Sequence, residues 1–138
     1  MDKSITSSFI FENYILNSIN FEANPNFKFE NPLEINFRVN VEVAINEENN
    51  VGIVTLHCKV FEDSLEKNYP FSLYVSLKGF FRSKESISNE LFYEFCRVNG
   101  TTALFPFLRS AIADITKASN FEPLVLPLVN INNLISQE

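Results

Sequence analysis

The sequence contains few of the residues that most binding and catalytic motifs require. Of its 138 residues, only three are glycine, two are cysteine, one is histidine and none is tryptophan. Gly52, Gly79 and Gly100 are too far apart to form a phosphate-binding loop. Cys58 and Cys96 do not have the short spacing of a metal-binding pair, so we expect two buried free thiols and no metal site.

Charge and hydropathy exclude two classes of partner. The formal net charge is −6 at pH 7 and the pI is near 4.8, whereas nucleic acids and anionic membranes are bound through basic surfaces. No apolar run approaches the roughly 20 residues of a membrane span, and the first residues, Met1 to Lys3, do not begin a signal peptide. We therefore predict a cytoplasmic protein with no nucleic-acid partner and no membrane insertion.

Residue combinations typical of catalysis are also missing. His57 precedes Cys58 directly, and in a strand two successive side chains point to opposite faces, which argues against a catalytic pair. No other candidate nucleophile has an evident base and orienting group in the sequence. We predict that the protein is not an enzyme and has no cofactor.

Apolar residues are abundant. Hydrophobic residues make up 46% of the sequence, and 15 residues are phenylalanine. This length favours one domain over residues 1–138. So many phenylalanines exceed what one small core can bury, so we expect some of the apolar surface to serve an oligomer interface or a ligand groove.

Four segments show the apolar and polar alternation of β-strands: residues 9–21, 33–45, 51–61 and 69–81. The first alternates imperfectly around Asn13 and Asn17, which indicates a bulge. The connections are short, so an antiparallel meander is the expected topology.

Two helices are predicted after the strands. The first is capped by Ser86 or Ser88 and ends at Asn99 and Gly100. The second has an apolar stripe of Leu104, Leu108, Ala111, Ile112 and Ile115. Pro106 either marks its start near Phe105 or kinks a longer helix. The predicted class is α+β, a four-stranded antiparallel sheet with C-terminal helices packed on one face.

An apolar segment with two prolines follows the second helix, and we call residues 121–129 the arm. Pro123 and Pro127 exclude both a helix interior and a central strand there. Between helix and arm, above the sheet, we predict a groove that binds extended hydrophobic polypeptide through many weak contacts. Its predicted residues are Phe37, Phe105, Phe107, Leu108, Phe121, Leu124, Leu126 and Leu128.

Several motifs resemble those of the SecB protein-export chaperone family. They are Ile19 to Ala23, Gly79 to Phe81, Leu104 to Phe107, Phe121 to Leu124, and Val129 with Asn130. They are spread in matching order and spacing from about Ile19 to Leu134, and between Pro25 and Tyr69 only the strand pattern matches the family.

This resemblance implies an ATP-independent holdase that keeps unfolded or precursor polypeptides in a hydrophobic groove and passes them to the translocation ATPase SecA. It also implies a homotetramer, a dimer of dimers. The family strand that contributes to assembly matches Phe71, Leu73, Val75 and Leu77, which are therefore assigned to an oligomer interface. Glu22 is the retained acidic residue that the resemblance assigns to contact with SecA.

Other interpretations stay open. Ser18 and Tyr74 stand where the family usually has acidic residues for SecA. A SecB-like chaperone dedicated to another client, such as an antitoxin, fits the same residues. So do two other classes: a hot-dog-type acyl-thioesterase, which also combines a long helix with an antiparallel sheet, and an oligomeric adaptor without a groove.

Overall fold

The computed structural model describes residues 8–30, 32–48 and 50–135. The strands are β1 (Phe9–Ala23), β2 (Phe37–Asn46), β3 (Val51–Val60) and β4 (Phe71–Ser83). The helices are α1 (Ser64–Lys67), α2 (Asn89–Glu94), α3 (Thr101–Ala118) and α4 (Ile131–Ile135), with a π-helical turn at Phe95–Gly100. The predicted class, a four-stranded antiparallel sheet with C-terminal helices, is confirmed.

The order of the strands corrects the predicted meander. The sheet has the order β1-β4-β3-β2, with every neighbouring pair antiparallel. Strands β2 to β4 form a meander, but β1 pairs with β4, so residues 24–36 must cross from one edge of the sheet to the other. Asn24 fixes the start of this crossing, because its side-chain amide donates to the carbonyl oxygens of Ser64 and Tyr69.

Two irregularities in β1 change which side chains face the core. The pairing with β4 shifts between Phe11 and Asn13 and again between Leu16 and Ser18. Each extra residue inverts the alternation beyond it. As a result, Tyr14 and Leu16 lie on the helical side of the sheet, whereas strict alternation from Phe11 would have placed them on the other side.

Helix α2, the π-helical turn and α3 form one continuous helical path. Ser88, one of the two residues predicted to cap this helix, is the N-cap of α2. Its hydroxyl accepts a hydrogen bond from the Leu91 amide. The predicted break at Gly100 is wrong, since this residue has the helical φ of −64° and joins the π-helical turn to α3. Pro106 lies inside α3 and does not mark its start. Of the two alternatives predicted for this proline, the longer helix is therefore the one that forms.

Close packing fixes α3 on the sheet. A Cβ atom at Gly79 of β4 would lie 2.6 Å from a Leu104 methyl carbon, so a larger residue would separate helix and strand. Leu104, Leu108 and Ile112 are completely buried, which accounts for the apolar stripe in the sequence. The core therefore lies between the sheet and α3.

Candidate functional site

A cleft lies beside the edge strand β2. It has a volume of about 330 Å³ and an open mouth. One wall is β2 and the other is the end of the arm with α4; the lining residues are Phe37, Arg38, Val39, Val129, Asn130, Asn133 and Leu134. Phe37, Val39 and Leu134 are apolar lining residues of the cleft, and the polar Arg38 pairs with Glu62 at 3.0 Å. The cleft thus combines apolar and polar lining residues, a common composition for ligand sites.

The arm runs back along α3 and is attached to it at two points. The Leu124 amide donates to Thr116 Oγ1 at 2.8 Å, and Arg109 Nε donates to the Leu126 carbonyl oxygen at 2.9 Å. The Leu126 side chain is completely buried. This attachment leaves other apolar side chains of the arm in solvent: Val125 is 58% exposed and Leu128 is 84% exposed.

The structure divides the eight predicted groove residues into two groups. Phe105, Leu108 and Leu126 are core side chains, which corrects their assignment to a groove, because the surrounding core already covers them. The other five are partly or largely accessible: Phe37, Phe107, Phe121, Leu124 and Leu128. Phe37 lines the cleft, and Phe121 packs against Phe21 and Phe71 at the start of the arm.

The four residues assigned to an oligomer interface are buried within one chain. Phe71, Leu73, Val75 and Leu77 are each at most 3% exposed and face the helical layer. A second chain cannot contact side chains that this chain already covers. The assignment of these four side chains is therefore corrected, since the alternation of β4 directs them into the core.

A second apolar surface lies at the opposite edge of the sheet. Tyr14, Leu16 and Ile19 of β1 are between 38% and 47% exposed on its helical side. Phe107 of α3 stacks on Tyr14, with ring centroids 4.4 Å apart. Strand β1 has β4 as its only pairing partner in the described sheet, so an exposed apolar strand forms this edge.

The outer face of the sheet, opposite the helices, is largely polar at its centre. The Tyr74 hydroxyl lies 2.7 Å from His57 Nδ1, and His57 Nε2 lies 3.4 Å from a Glu42 carboxylate oxygen. Beside them, the hydroxyls of Ser18 and Ser76 are 2.7 Å apart. His57 therefore belongs to a surface network that includes no cysteine.

Glu22 lies at one end of this outer face. It is exposed and shares a shallow cavity of about 250 Å³ with Asp63 and Glu66. Glu22 pairs in register with Ser72 of β4. Three carboxylates thus lie around one end of the sheet, two of them from the loop and helix α1 that follow β3.

The remaining chemistry of the described residues is sparse. Burial raises the pKa of both Cys58 and Cys96 to about 12, so neither thiol is a nucleophile at neutral pH. Within residues 8–30, 32–48 and 50–135, no group of three or more His, Cys, Asp or Glu side chains could hold a metal ion. None of the helices that the structure describes has the length and hydropathy to cross a membrane.

The family comparison covers most of this fold. The model of the SecB family, described as preprotein translocase subunit SecB, matches residues 18–138. This chain belongs to the SecB family. The match includes the arm, α4 and the cleft between them and β2.

Two relatives of this SecB-family chain are 28% and 27% identical to it. An uncharacterised protein of Methanocaldococcus jannaschii is 28% identical over 127 residues, covering 91% of this chain and 81% of that protein. The protein-export protein SecB of a Wolbachia strain from Drosophila simulans is 27% identical over 139 residues, covering 87% of this chain and 83% of that protein.

A solved structure has the same fold. The SecB-like chaperone Rv1957 of Mycobacterium tuberculosis, in complex with a ChAD peptide from the Rv1956 HigA1 antitoxin, superposes with a TM-score of 0.73. The two chains are 14% identical, with 91% of this chain and 93% of that chain covered. At this identity the likeness establishes the shared fold.

Of the seven residues that line the cleft, the predicted groove included only Phe37. Val39 could have been found, because it is two residues from Phe37 and so shares its face of β2. Asn133 and Leu134 lie in the short α4, where five residues give too little periodicity for a face to be assigned. Val125 was overlooked because its exposure follows from the attachment of its two neighbours to α3.

Proposed function

We propose that this SecB-family protein is an ATP-independent holdase that binds unfolded or precursor polypeptides. The observation that carries this proposal is the arm: it is firmly attached through Leu126, Arg109 and Thr116, yet Leu128 is 84% exposed. Isolated apolar exposure is common on proteins, but here it adjoins an apolar cleft. Together they provide a surface for an extended apolar chain.

Such a surface selects unfolded chains by a simple physical difference. Contacts with Phe37, Val129 and Leu128 are non-directional, so many client sequences satisfy them. A folded protein has few extended apolar segments to offer. No nucleotide is needed for binding of this kind, because burial of apolar surface drives it.

Delivery to SecA is the export part of the proposal. Glu22, with Asp63 and Glu66 nearby, forms an acidic end of the outer sheet face that suits a basic partner segment. This surface lies on the opposite face from the arm, so a client and SecA could bind together. We propose that this activity takes place in the cytoplasm, where precursor polypeptides are present before their export.

We further propose that the protein assembles as a homotetramer, a dimer of dimers. The edge strand β1, with exposed Leu16 and Ile19, offers an unpaired apolar edge of the kind that strands use to associate. Phe107 and Tyr14 extend this surface onto α3. The interface thus moves from the buried face of β4 to β1.

An antitoxin is the second candidate client. The M. tuberculosis SecB-like chaperone of the same fold was solved with an antitoxin peptide. Outside the acidic end, the outer face presents the Glu42–His57–Tyr74 network and the Ser18–Ser76 pair. A chaperone that holds an antitoxin until it folds would need the arm and cleft but no SecA contact.

The test is co-elution with reduced, carboxymethylated α-lactalbumin in size exclusion with light scattering. We expect a stable complex without nucleotide, and a weaker one for Leu128→Ser. The matched control is Leu65→Ser, because Leu65 is also well exposed, at 65%, but lies on α1. Wild-type protein that does not bind the unfolded chain would refute the holdase proposal, as would equal effects of the two variants.

A further inference from the structure

From Leu124 to Leu126, the main chain of the arm is hydrogen-bonded on one edge only. Leu124 N–H and Leu126 C=O are both bonded to side chains of α3. Leu126 precedes Pro127, a position that disfavours helical backbone and favours extended backbone. In an extended segment, the N–H and C=O of successive residues point to opposite edges. The polar main-chain groups of Val125 therefore point away from α3.

Val125 has no partner for these groups. Neither its N–H nor its C=O makes a hydrogen bond to any residue that the structure describes. The residue is 58% exposed, so its main chain is within reach of another molecule. An N–H and a C=O at one residue, on one free edge, are the groups that an antiparallel strand pairs with.

We propose that an extended segment of the client pairs with Val125 through two main-chain hydrogen bonds, as one step of a β-ladder. This inference rests on the proposed holdase function and specifies its substrate class. The clients are extended segments with a free amide N–H at the paired residue. A segment with proline at that residue is excluded, because it lacks the donor.

The prolines of the arm indicate a client strand as the occupant instead of a second copy of the arm. Pro123 and Pro127 lie two residues to either side of Val125 and therefore share its edge. Because proline has no N–H, Val125 contributes the only amide donor of this edge between residues 123 and 127. Two such arms could not form a long ladder with each other, whereas one bridge suits a client that is bound and released.

This pairing explains how one surface could accept many sequences. Main-chain hydrogen bonds are the same for every non-proline residue, so they add affinity without selecting among client side chains. Leu128 and the cleft, which both lie C-terminal to Val125 along the arm, then favour apolar side chains on one side of the paired residue. Sequence tolerance and preference for apolar segments thus arise from different groups.

The first test uses the wild-type protein and a nine-residue peptide with lysine at each end, in which two leucines flank one central threonine and the other residues are serine, so that one register is favoured. Each amide is N-methylated in turn, and affinity is measured by fluorescence anisotropy. We expect a loss of about fivefold or more at the one amide that pairs with Val125, and smaller losses at the others. Equal losses at all positions, or none, would overturn main-chain pairing while the unmethylated peptide still shows client binding.

The second test removes the donor from the protein. Val125→Pro lacks the N–H and keeps an apolar side chain, and Val125→Ala keeps the N–H and loses most of the side chain. We expect Val125→Pro to weaken binding of the same peptide by about fivefold and Val125→Ala by less. The reverse order would overturn the proposal.

Two further outcomes also decide the question. A Val125→Pro variant with reduced oligomer mass and unchanged peptide affinity would assign this edge to a second copy and overturn the client assignment. Failure of wild-type protein to bind both the unmethylated peptide and carboxymethylated α-lactalbumin would overturn the holdase function and this inference together. If Val125→Pro does not fold, the N-methyl series with wild-type protein decides alone.

Discussion

Cys96 occupies the space above Gly52, where a side chain would otherwise lie. A Cβ atom at residue 52 would be 2.7 Å from the Cys96 sulfur and 3.2 Å from the Phe92 ring. Both Cys96 and Cys58 are completely buried. They behave as small apolar side chains of the core, and their burial disfavours the charged thiolate.

The thiols should therefore be unreactive in the folded state. Burial raises both pKa values from 9.0 to about 12. The folded state holds these protons more tightly than the unfolded state, so this contribution to stability is complete below pH 9 and is lost as the pH rises towards 12. At pH 8, we expect no rapid labelling by Ellman's reagent in native protein and complete labelling in denaturant.

The double variant Cys58→Ala, Cys96→Ala is the control, because lysine and tyrosine also titrate above pH 9. Wild-type protein should lose more unfolding free energy than this variant between pH 9 and 11. Rapid labelling of native wild-type protein at pH 8 would contradict the buried positions of the thiols.

At the scale of elements, one of the two attachments of the arm to α3 is a single hydroxyl group. Thr116 Oγ1 accepts from the Leu124 amide and donates to the Ile112 carbonyl oxygen, at 2.8 and 2.9 Å. In Thr116→Val the shape is kept, but the partly buried Leu124 amide loses its acceptor. We expect a loss of about 1–3 kcal/mol in unfolding free energy, measured by urea denaturation. Hydrogen exchange at Leu124 should become faster.

Thr102 provides the matched comparison on the same helix. Its hydroxyl donates only to the Val98 carbonyl oxygen, and the residue is exposed. Thr102→Val should therefore change stability by less than about 0.5 kcal/mol. If the two variants are equally stable, Thr116 does not hold the arm.

The elements also show how far the sequence could predict the fold. The alternation of β2 to β4 and the apolar stripe of α3 identified their core faces, because each pattern depends on local geometry alone. The pairing of β1 with β4 could not be predicted from the sequence, because short connections favour a meander. In the structure, the chain crosses the sheet between β1 and β2 instead. The shifts after Phe11 and Leu16 hid which side of β1 is apolar.

The helical region and the site show the same limit. Asn99 and Gly100 are common at helix ends, yet packing of Gly100 against Val54 and Phe81 keeps the path helical. Two residues of the predicted groove, Leu108 and Leu126, lie in the core. The sequence could not show this, because hydropathy does not distinguish a buried side chain from one that binds a ligand. Exposure of Leu128 depends on tertiary contacts of its neighbours.

At the scale of the whole molecule, the exposed edge of β1 determines the expected assembly. Leu16 and Ile19 are 42% and 47% exposed on one side of an edge strand, so lysine at both positions should be tolerated by the fold. In an assembly through β1, four buried like charges would meet across each two-fold interface. We expect the double variant Leu16→Lys, Ile19→Lys to have a lower mass than wild type in light scattering.

Val51→Lys distinguishes this interface from a general effect of added charge. Val51 is 39% exposed but lies in β3, paired with Asn46 and Arg82, and β4 separates it from β1. This variant should keep the wild-type mass. Circular dichroism and urea midpoints verify that all variants are folded. A lower mass for Val51→Lys, with no change for the β1 variant, would place the interface on the outer sheet face. A second copy and SecA would then compete for that face, in conflict with the delivery of clients to SecA by the assembled protein.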